Sequence, residues 1–79
     1  MEPKEPRVPR IGDIVMYVVS DFDDDVIRHN HAEELPAIVV AVWEDNCVNL
    51  KVFTDGPVDA WATSVEAGDL PGQWYFPSD

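Results

Sequence analysis

Positive charge is scarce in this chain. Five Lys and Arg residues stand against sixteen Asp and Glu residues, which gives a formal net charge of −11 at pH 7. Proteins that bind nucleic-acid backbones need clustered Lys and Arg, because each contact neutralises a phosphate. From residue 32 onward the chain holds one base, Lys51. We therefore expect no direct binding to DNA or RNA.

Cysteine and long apolar runs are also scarce. The only cysteine, Cys47, excludes an intramolecular disulfide framework and is typical of a reducing compartment. Its apolar surroundings predict a small buried hydrophobe. No apolar run approaches the roughly 20 residues of a membrane-spanning helix, and no signal-peptide core follows the charged N-terminus. We expect a soluble, intracellular protein.

Catalytic motifs are lacking as well. The sequence has no glycine-rich phosphate loop, no C-x-x-C, no H-E-x-x-H and no G-x-S-x-G elbow, and Ser64 has no evident base beside it. A chain of 79 residues barely fills its own core and leaves little room for a substrate pocket. These absences predict a protein that is not an enzyme and has no cofactor.

The length predicts one domain. Residues 1–10 hold three prolines and alternating charges, a composition typical of a flexible arm. The remainder, residues 11–79, is expected to be a single small β-barrel.

Five segments have the composition of strands. β-Branched, aromatic or alternating apolar residues fill residues 13–19, 36–43, 47–54, 58–65 and 73–76, and turn residues separate them. In the third, Val48, Leu50 and Val52 are predicted to point inward, and Asn49 and Lys51 outward. The pattern predicts an all-β, five-stranded SH3-like barrel with a short helical or loop connection after the first strand.

That first connection, residues 20–36, is rich in carboxylates and contains two histidines. Asp21, Asp23 and Asp25 match the first alternate positions of a calcium-binding EF-hand loop, but Val26 stands at its glycine position and Ala32 at its bidentate acid position. His29 and His31 with one acid provide fewer ligands than a zinc site usually has on a fixed framework. No metal site is predicted.

A capped helical turn explains the connection better. Ser20 is a favourable N-cap, and Asp23 lies at the position that reaches back to the backbone of the cap. Val26 and Ile27 would then pack over the mouth of the barrel. His29 and His31 would lie at the negative end of the helix, which favours them.

Four segments resemble a known group of proteins. They are LPAIVVAVW (35–43), VNLKVFTDG (48–56), TSV (63–65) and PGQWYFP (71–77), in this order and spacing. The chain resembles small phage and prophage proteins that share P-A-h-h-V-x-V-W, V-N-x-x-V-F-x-D-G, T-S-V and G-x-W-x-[WF]-P, where h is hydrophobic. The resemblance covers about residues 11–77, and this chain departs from it in having a shorter first connection. It implies a phage origin, a location in the bacterial host cytoplasm and a non-enzymatic role, and it assigns no catalytic residues.

The leading hypothesis is a phage-encoded binding protein that inhibits host defence, either by binding a defence protein or by sequestering a small signalling nucleotide. A homo-oligomer would provide the pocket that a small monomer lacks. The alternatives are a virion or assembly component, and an acidic mimic of DNA that inhibits a nucleic-acid-binding enzyme. The residues expected to contact a ligand or partner are Trp43, Asn49, Trp61, Thr63, Ser64, Trp74, Arg28 and Lys51. An acidic face for a basic partner would comprise Asp21, Asp23, Asp24, Asp25, Glu33 and Glu34.

Overall fold

The fold is a strongly curled antiparallel sheet. The computed structural model describes residues 8–44 and 46–77. Its strands are β1 (Ile14–Val18), β2 (Glu34–Val42), β3 (Val48–Val52), β4 (Ala60–Val65) and β5 (Trp74–Tyr75). They form one sheet in the order β4-β3-β2-β1-β5. The prediction of an all-β, five-stranded protein is confirmed, and β2 begins two residues before the predicted segment.

The sheet curls until its two ends meet. After β4, the carbonyl oxygen of Glu66 accepts a hydrogen bond from the backbone N–H of Trp74 (3.1 Å). The N–H of Gly68 donates to the carbonyl oxygen of Trp74 (2.7 Å). The segment that follows β4 thereby pairs with β5, and the sheet becomes a half-barrel around an apolar interior.

Two register shifts fall on either side of Asn49. The pairing of β2 with β3 shifts between Val39 and Ala41, and the pairing of β3 with β4 shifts between Val48 and Leu50. A bulge adds a residue to one strand and increases the local bend and twist. The two shifts therefore place the sharpest curvature of the sheet near Asn49.

The core lies on the concave side of the sheet. Tyr17 and Trp74 are its largest members, and the Trp74 and Phe76 rings pack edge to face with centroids 5.0 Å apart. On β1, Val15 and Tyr17 are buried, so the alternate residues Ile14, Met16 and Val18 lie on the convex side. The predicted inward residues of β3 are confirmed. The buried hydrophobic residues are Val15, Tyr17, Ile27, Leu35, Ala37, Val39, Val48, Leu50, Val52, Ala62, Val65 and Trp74.

The connection from β1 to β2 consists of turns instead of the expected capped α-helix. Asp23 does reach back, because its Oδ2 accepts the N–H of Ser20 at 2.7 Å. Asp24 Oδ1 accepts the N–H of Ile27 (3.2 Å), and such local bonds offer the backbone an alternative to helix formation. A single 3₁₀ turn, His29–His31, follows, with Asn30 at φ 59°. Ile27 is buried as expected, whereas Val26 remains 38% exposed.

Part of the predicted N-terminal arm is attached to the barrel. Pro9 is buried, and the N–H of Arg10 donates to Asp13 Oδ2 at 2.8 Å. The N–H of Gly12 donates to the carbonyl oxygen of Val39 (2.8 Å). Residues 1–7 of the predicted arm lie outside the described residues.

Candidate functional site

The side-chain amide of Asn49 joins three parts of the convex face. Its Oδ1 accepts hydrogen bonds from Trp43 Nε1 (3.0 Å), Thr63 Oγ1 (3.0 Å) and the backbone N–H of Ser64 (2.8 Å). Ser64 has a φ of 56°, a left-handed conformation that few residues other than glycine adopt. The N–H that Asn49 accepts therefore belongs to the bulge of β4. Four of the predicted contact residues are brought together around this one oxygen.

The orientation of Asn49 leaves its other amide atom available. Three donors on Oδ1 fix which end of the amide is oxygen. Nδ2 donates to no group among the described residues, and within them no fully buried side-chain nitrogen or oxygen lacks a partner. Nδ2 therefore keeps contact with solvent, although Asn49 as a whole is only 8% exposed. The site presents a fixed hydrogen-bond donor beside an indole ring.

Two of the three tryptophans lie at the surface around this amide. Trp43 is 54% exposed and Trp61 is 61% exposed. We call the convex side of the sheet the outer face; a row of paired residues, Ile14, Ile38, Lys51 and Trp61, crosses it from β1 to β4. Ile14 is 54% exposed, and Lys51 adds a positive charge next to Trp61. The outer face thus combines exposed apolar area with a few polar groups, as protein-binding surfaces do.

Trp74 does not belong to this surface. It is 2% exposed, and its Nε1 donates to the carbonyl oxygen of Asn46 at 2.9 Å. Trp74 was predicted to contact a ligand or partner, but the core encloses its ring and its indole N–H is already bonded, so it presents almost no surface in the monomer.

Arg28 is also separated from the outer face. It lines a cavity of about 560 Å³ between the first connection and the start of β2, and the carboxylates of that cavity are Asp21, Asp25, Glu33 and Glu34. Lys51 instead lies on the outer face, paired with Trp61. The two bases predicted to contact a ligand or partner therefore lie in different parts of the monomer.

The predicted acidic face is divided between solvent and the loop itself. Asp23 accepts the hydroxyl of Tyr17 at 2.8 Å, so it ties the connection to the core. Burial, with the bond to Asp23 and its charge, raises the pKa of Tyr17. Glu34 accepts the hydroxyl of Tyr75, and this hydrogen bond raises the pKa of Tyr75. The carboxylates left exposed are Asp21, Asp24, Asp25, Glu33 and Glu34.

His29 packs the first connection against the β3–β4 turn. Among the described residues, no three His, Cys, Asp or Glu side chains are grouped so that they could hold a metal ion. The ring of His29 lies against Gly56, where an added Cβ would be 3.3 Å from its Cδ2. Next to it, Asn30 Nδ2 donates to Asp55 Oδ2 (3.2 Å). The Asp55-Gly56 pair of the shared sequence pattern thus binds the connection to the β3–β4 turn.

Phe22 is an exposed aromatic residue that the sequence analysis missed. Phe22 is 98% exposed in the first connection. Together with Trp61 it lines a cavity of about 370 Å³ that also borders Thr63 and Ser64. The signal that could have identified it is a single aromatic residue between two aspartates, because the first turn of a solvent-exposed capped helix would not bury an apolar side chain at that position.

No helix of the described residues is long and apolar enough to cross a membrane. Comparison of the chain with protein-family models, with curated proteins and with solved structures finds no match.

Proposed function

We propose that this protein is a non-enzymatic binding module of phage origin that acts in the bacterial host cytoplasm by engaging a host defence protein through its outer face. The observation that carries the proposal is the pair of exposed indoles, Trp43 and Trp61, beside the fixed amide of Asn49. Tryptophan is prominent among the residues that contribute most of the binding energy of protein interfaces. Its contribution is largest where the surrounding contacts exclude water.

Charge favours a protein partner over a sequestered nucleotide. The phosphates of a nucleotide need several convergent cations or backbone donors. Lys51 is a base on the outer face, and the cavity that holds Arg28 is lined by four carboxylates. A protein partner makes no such demand, since its own basic residues complement the acidic surroundings.

The finer fold assignment is part of the proposal. The strand order β4-β3-β2-β1-β5 supports an SH3-like barrel, since the chain runs as a meander through β4 and returns β5 to pair with β1. In such a small barrel the long connection after β1 covers one opening. The buried Ile27 packs there against the core.

A plating assay tests the function. Bacteria that carry a phage-defence system would express the protein or a variant and then be challenged with a phage that the system restricts. We expect the native chain to restore plating, and Trp61→Ala to reduce that restoration by at least about tenfold, since truncating a central aromatic contact commonly costs more than 1 kcal/mol. Trp43→Ala should act in the same direction.

The matched control is Leu70→Ala, because Leu70 is 63% exposed and lies away from the outer face in the β4–β5 connection. Circular dichroism of each variant separates loss of folding from loss of contact. If a folded Trp43→Ala, Trp61→Ala double variant restored plating as well as the native chain, the outer face would not be the binding surface.

Native mass spectrometry separates the remaining predictions. A multimer would support the homo-oligomer, and extra mass of nucleotide size would support sequestration. Detection of the protein in purified phage particles would instead support the virion component.

A further inference from the structure

The second edge of β4 has no strand beside it. β4 is the last strand of the sheet and pairs with β3 alone. The bridge that closes the half-barrel lies beyond its end, at Ala67 and Trp74. Within residues 8–44 and 46–77, no backbone hydrogen bond connects residues 60–64 to the first connection or to β5. Along this edge the backbone groups of residues 60–63 are therefore not paired with another strand, whereas the N–H of Ser64 is bonded to Asn49.

The composition of this edge is not protective. Exposed edges are commonly blocked by Lys, Pro or an inward charge, whereas residues 60–64 read AWATS and contain none of these. The bulge at Thr63 and Ser64 limits pairing at the far end, because it bends the strand. The open stretch is therefore Ala60 to Thr63, long enough for the central residues of an added strand.

A groove lies along the same edge. The cavity of about 370 Å³ is lined by β4 on one side and by Phe22 and Asp24 of the first connection on the other. Phe22 is 98% exposed, and Trp61 is 61% exposed. The two aromatic rings can contact apolar side chains of an extended peptide, and the carboxylate of Asp24 would attract a peptide that carries Lys or Arg.

We propose that β4 and this groove bind an extended segment of the partner protein by strand addition, with apolar side chains at alternate positions and Lys or Arg on its flanks. The backbone of the segment pairs with residues 60–63, and every second side chain points toward Phe22 and Trp61, as strand geometry requires. This inference rests on the proposed function and specifies how the partner docks.

The charge of the chain selects this occupant. Exposed carboxylates outnumber exposed guanidinium groups among the described residues, and the whole chain carries −11. A second copy pairing edge to edge would bring two such charges together, which costs free energy, whereas a basic segment is attracted to the acidic rim.

A displayed library of randomised seven-residue peptides, selected against the full chain, provides the probe. We expect selected peptides to alternate apolar residues and to carry flanking Lys or Arg. Their addition should shift and protect the amide signals of residues 60–63 in NMR and hydrogen exchange. The same peptide, N-methylated at alternate residues so that it cannot pair with the strand, should bind at least about tenfold more weakly, because its edge hydrogen bonds are lost.

Two variants and a control locate the site. Phe22→Ala and Trp61→Ala should each weaken the selected peptide by about tenfold or more. Phe22→Ala removes a side chain that is almost wholly exposed, so it should not disturb folding. Leu70→Ala is the control, because Leu70 is exposed to a similar extent as Trp61 but lines neither the groove nor the outer face.

Three outcomes would overturn the inference: no peptide is selected; selected peptides bind the Phe22→Ala, Trp61→Ala double variant as tightly as the native chain; or residues 60–63 become protected by self-association without peptide. If peptides shift the signals of Trp43 and Lys51 but not those of residues 60–63, strand addition fails while the proposed function stands. If the native chain failed to restore plating but still bound the peptides through residues 60–63, the proposed function would fail while strand addition would stand.

Discussion

At the scale of single residues, Asn49 holds together three parts of the outer face through hydrogen bonds to its side-chain oxygen. Its neighbours Val48 and Leu50 point into the core, so alternation puts its amide on the convex side, where it is nevertheless 8% exposed. It is buried because Trp43 and Thr63 converge on it to donate hydrogen bonds. A polar residue in that position is stable only with its bonds satisfied.

Replacing Asn49 by Ala should lower the free energy of unfolding by about 2 kcal/mol, because three donors lose their acceptor and the N–H of Ser64 has no side-chain replacement. Urea denaturation measures the loss. Asn49→Asp is the control, since it keeps an acceptor oxygen at the same position, and we expect a smaller loss. A change within about 0.5 kcal/mol for the Ala variant, which is typical of inert surface sites, would mean that the amide does not support the bulge.

Tyr17 shows how a core residue can stabilise a loop. Its ring is buried, yet its hydroxyl donates to Asp23 in the first connection. Asp23 in turn accepts the N–H of Ser20. One aspartate of the acidic stretch is therefore a structural residue, and this explains why the stretch cannot be treated as one uniform charged surface.

At the scale of elements, the β4–β5 connection closes the half-barrel. Gly68 has a φ of +153°, and an added Cβ would lie 2.0 Å from Oε1 of Gln73. That oxygen already accepts the N–H of Leu70 at 3.0 Å. A larger residue at position 68 would displace the end of the Gln73 side chain and its hydrogen bond to Leu70, and it would take a backbone conformation that L residues rarely adopt.

Gly68→Ala should destabilise the protein by about 1–3 kcal/mol, since it adds backbone strain to a steric conflict with Gln73. Thermal unfolding gives the measurement. Gly12→Ala is a matched control: Gly12 also has a positive φ, +99°, but an added Cβ meets nothing within 4 Å, so it reports strain alone. If both variants lost the same stability, or if Gln73→Ala gave no relief to Gly68→Ala, the conflict with Gln73 would be disproved.

At the scale of the whole molecule, the net charge of −11 acts on stability and on association. Like charges held close together in the folded state repel one another, and salt screens that repulsion over a Debye length of about 10 Å at 0.1 M. The repulsion is relieved in the unfolded chain because the charges move apart.

We therefore expect the urea midpoint to rise between 0.02 and 0.2 M NaCl, roughly the range over which screening changes most. An Asp25→Asn, Glu33→Gln variant, which lowers the charge at two exposed sites near the same cavity, should show a smaller rise. A midpoint that falls with salt would mean that favourable ion pairs outweigh the repulsion.

Local pattern determined most of the fold. The strict alternation of β3 predicted Val48, Leu50 and Val52 as core residues, and each is fully buried. Each of the five strands overlaps a segment predicted from apolar composition, and only β2 extends beyond its segment, by two residues at its start, because side-chain alternation and turn residues act over a few positions. The prediction of a helix in the first connection failed for another reason. Favourable capping residues were present, but Asp23 and Asp24 accept backbone N–H groups three residues away in local turns, and no α-helix follows.

The sequence by itself determined the class of fold and the acidity. Only the tertiary structure decided which aromatic residues remain available: Trp74 closes the core, whereas Trp43, Trp61 and Phe22 face solvent. It also converted Asn49, Thr63 and Ser64 from separate polar residues into one hydrogen-bonded cluster. The physical reason is that the face taken by each of these residues depends on two bulges and on the closure of the sheet, which join parts of the chain far apart in sequence.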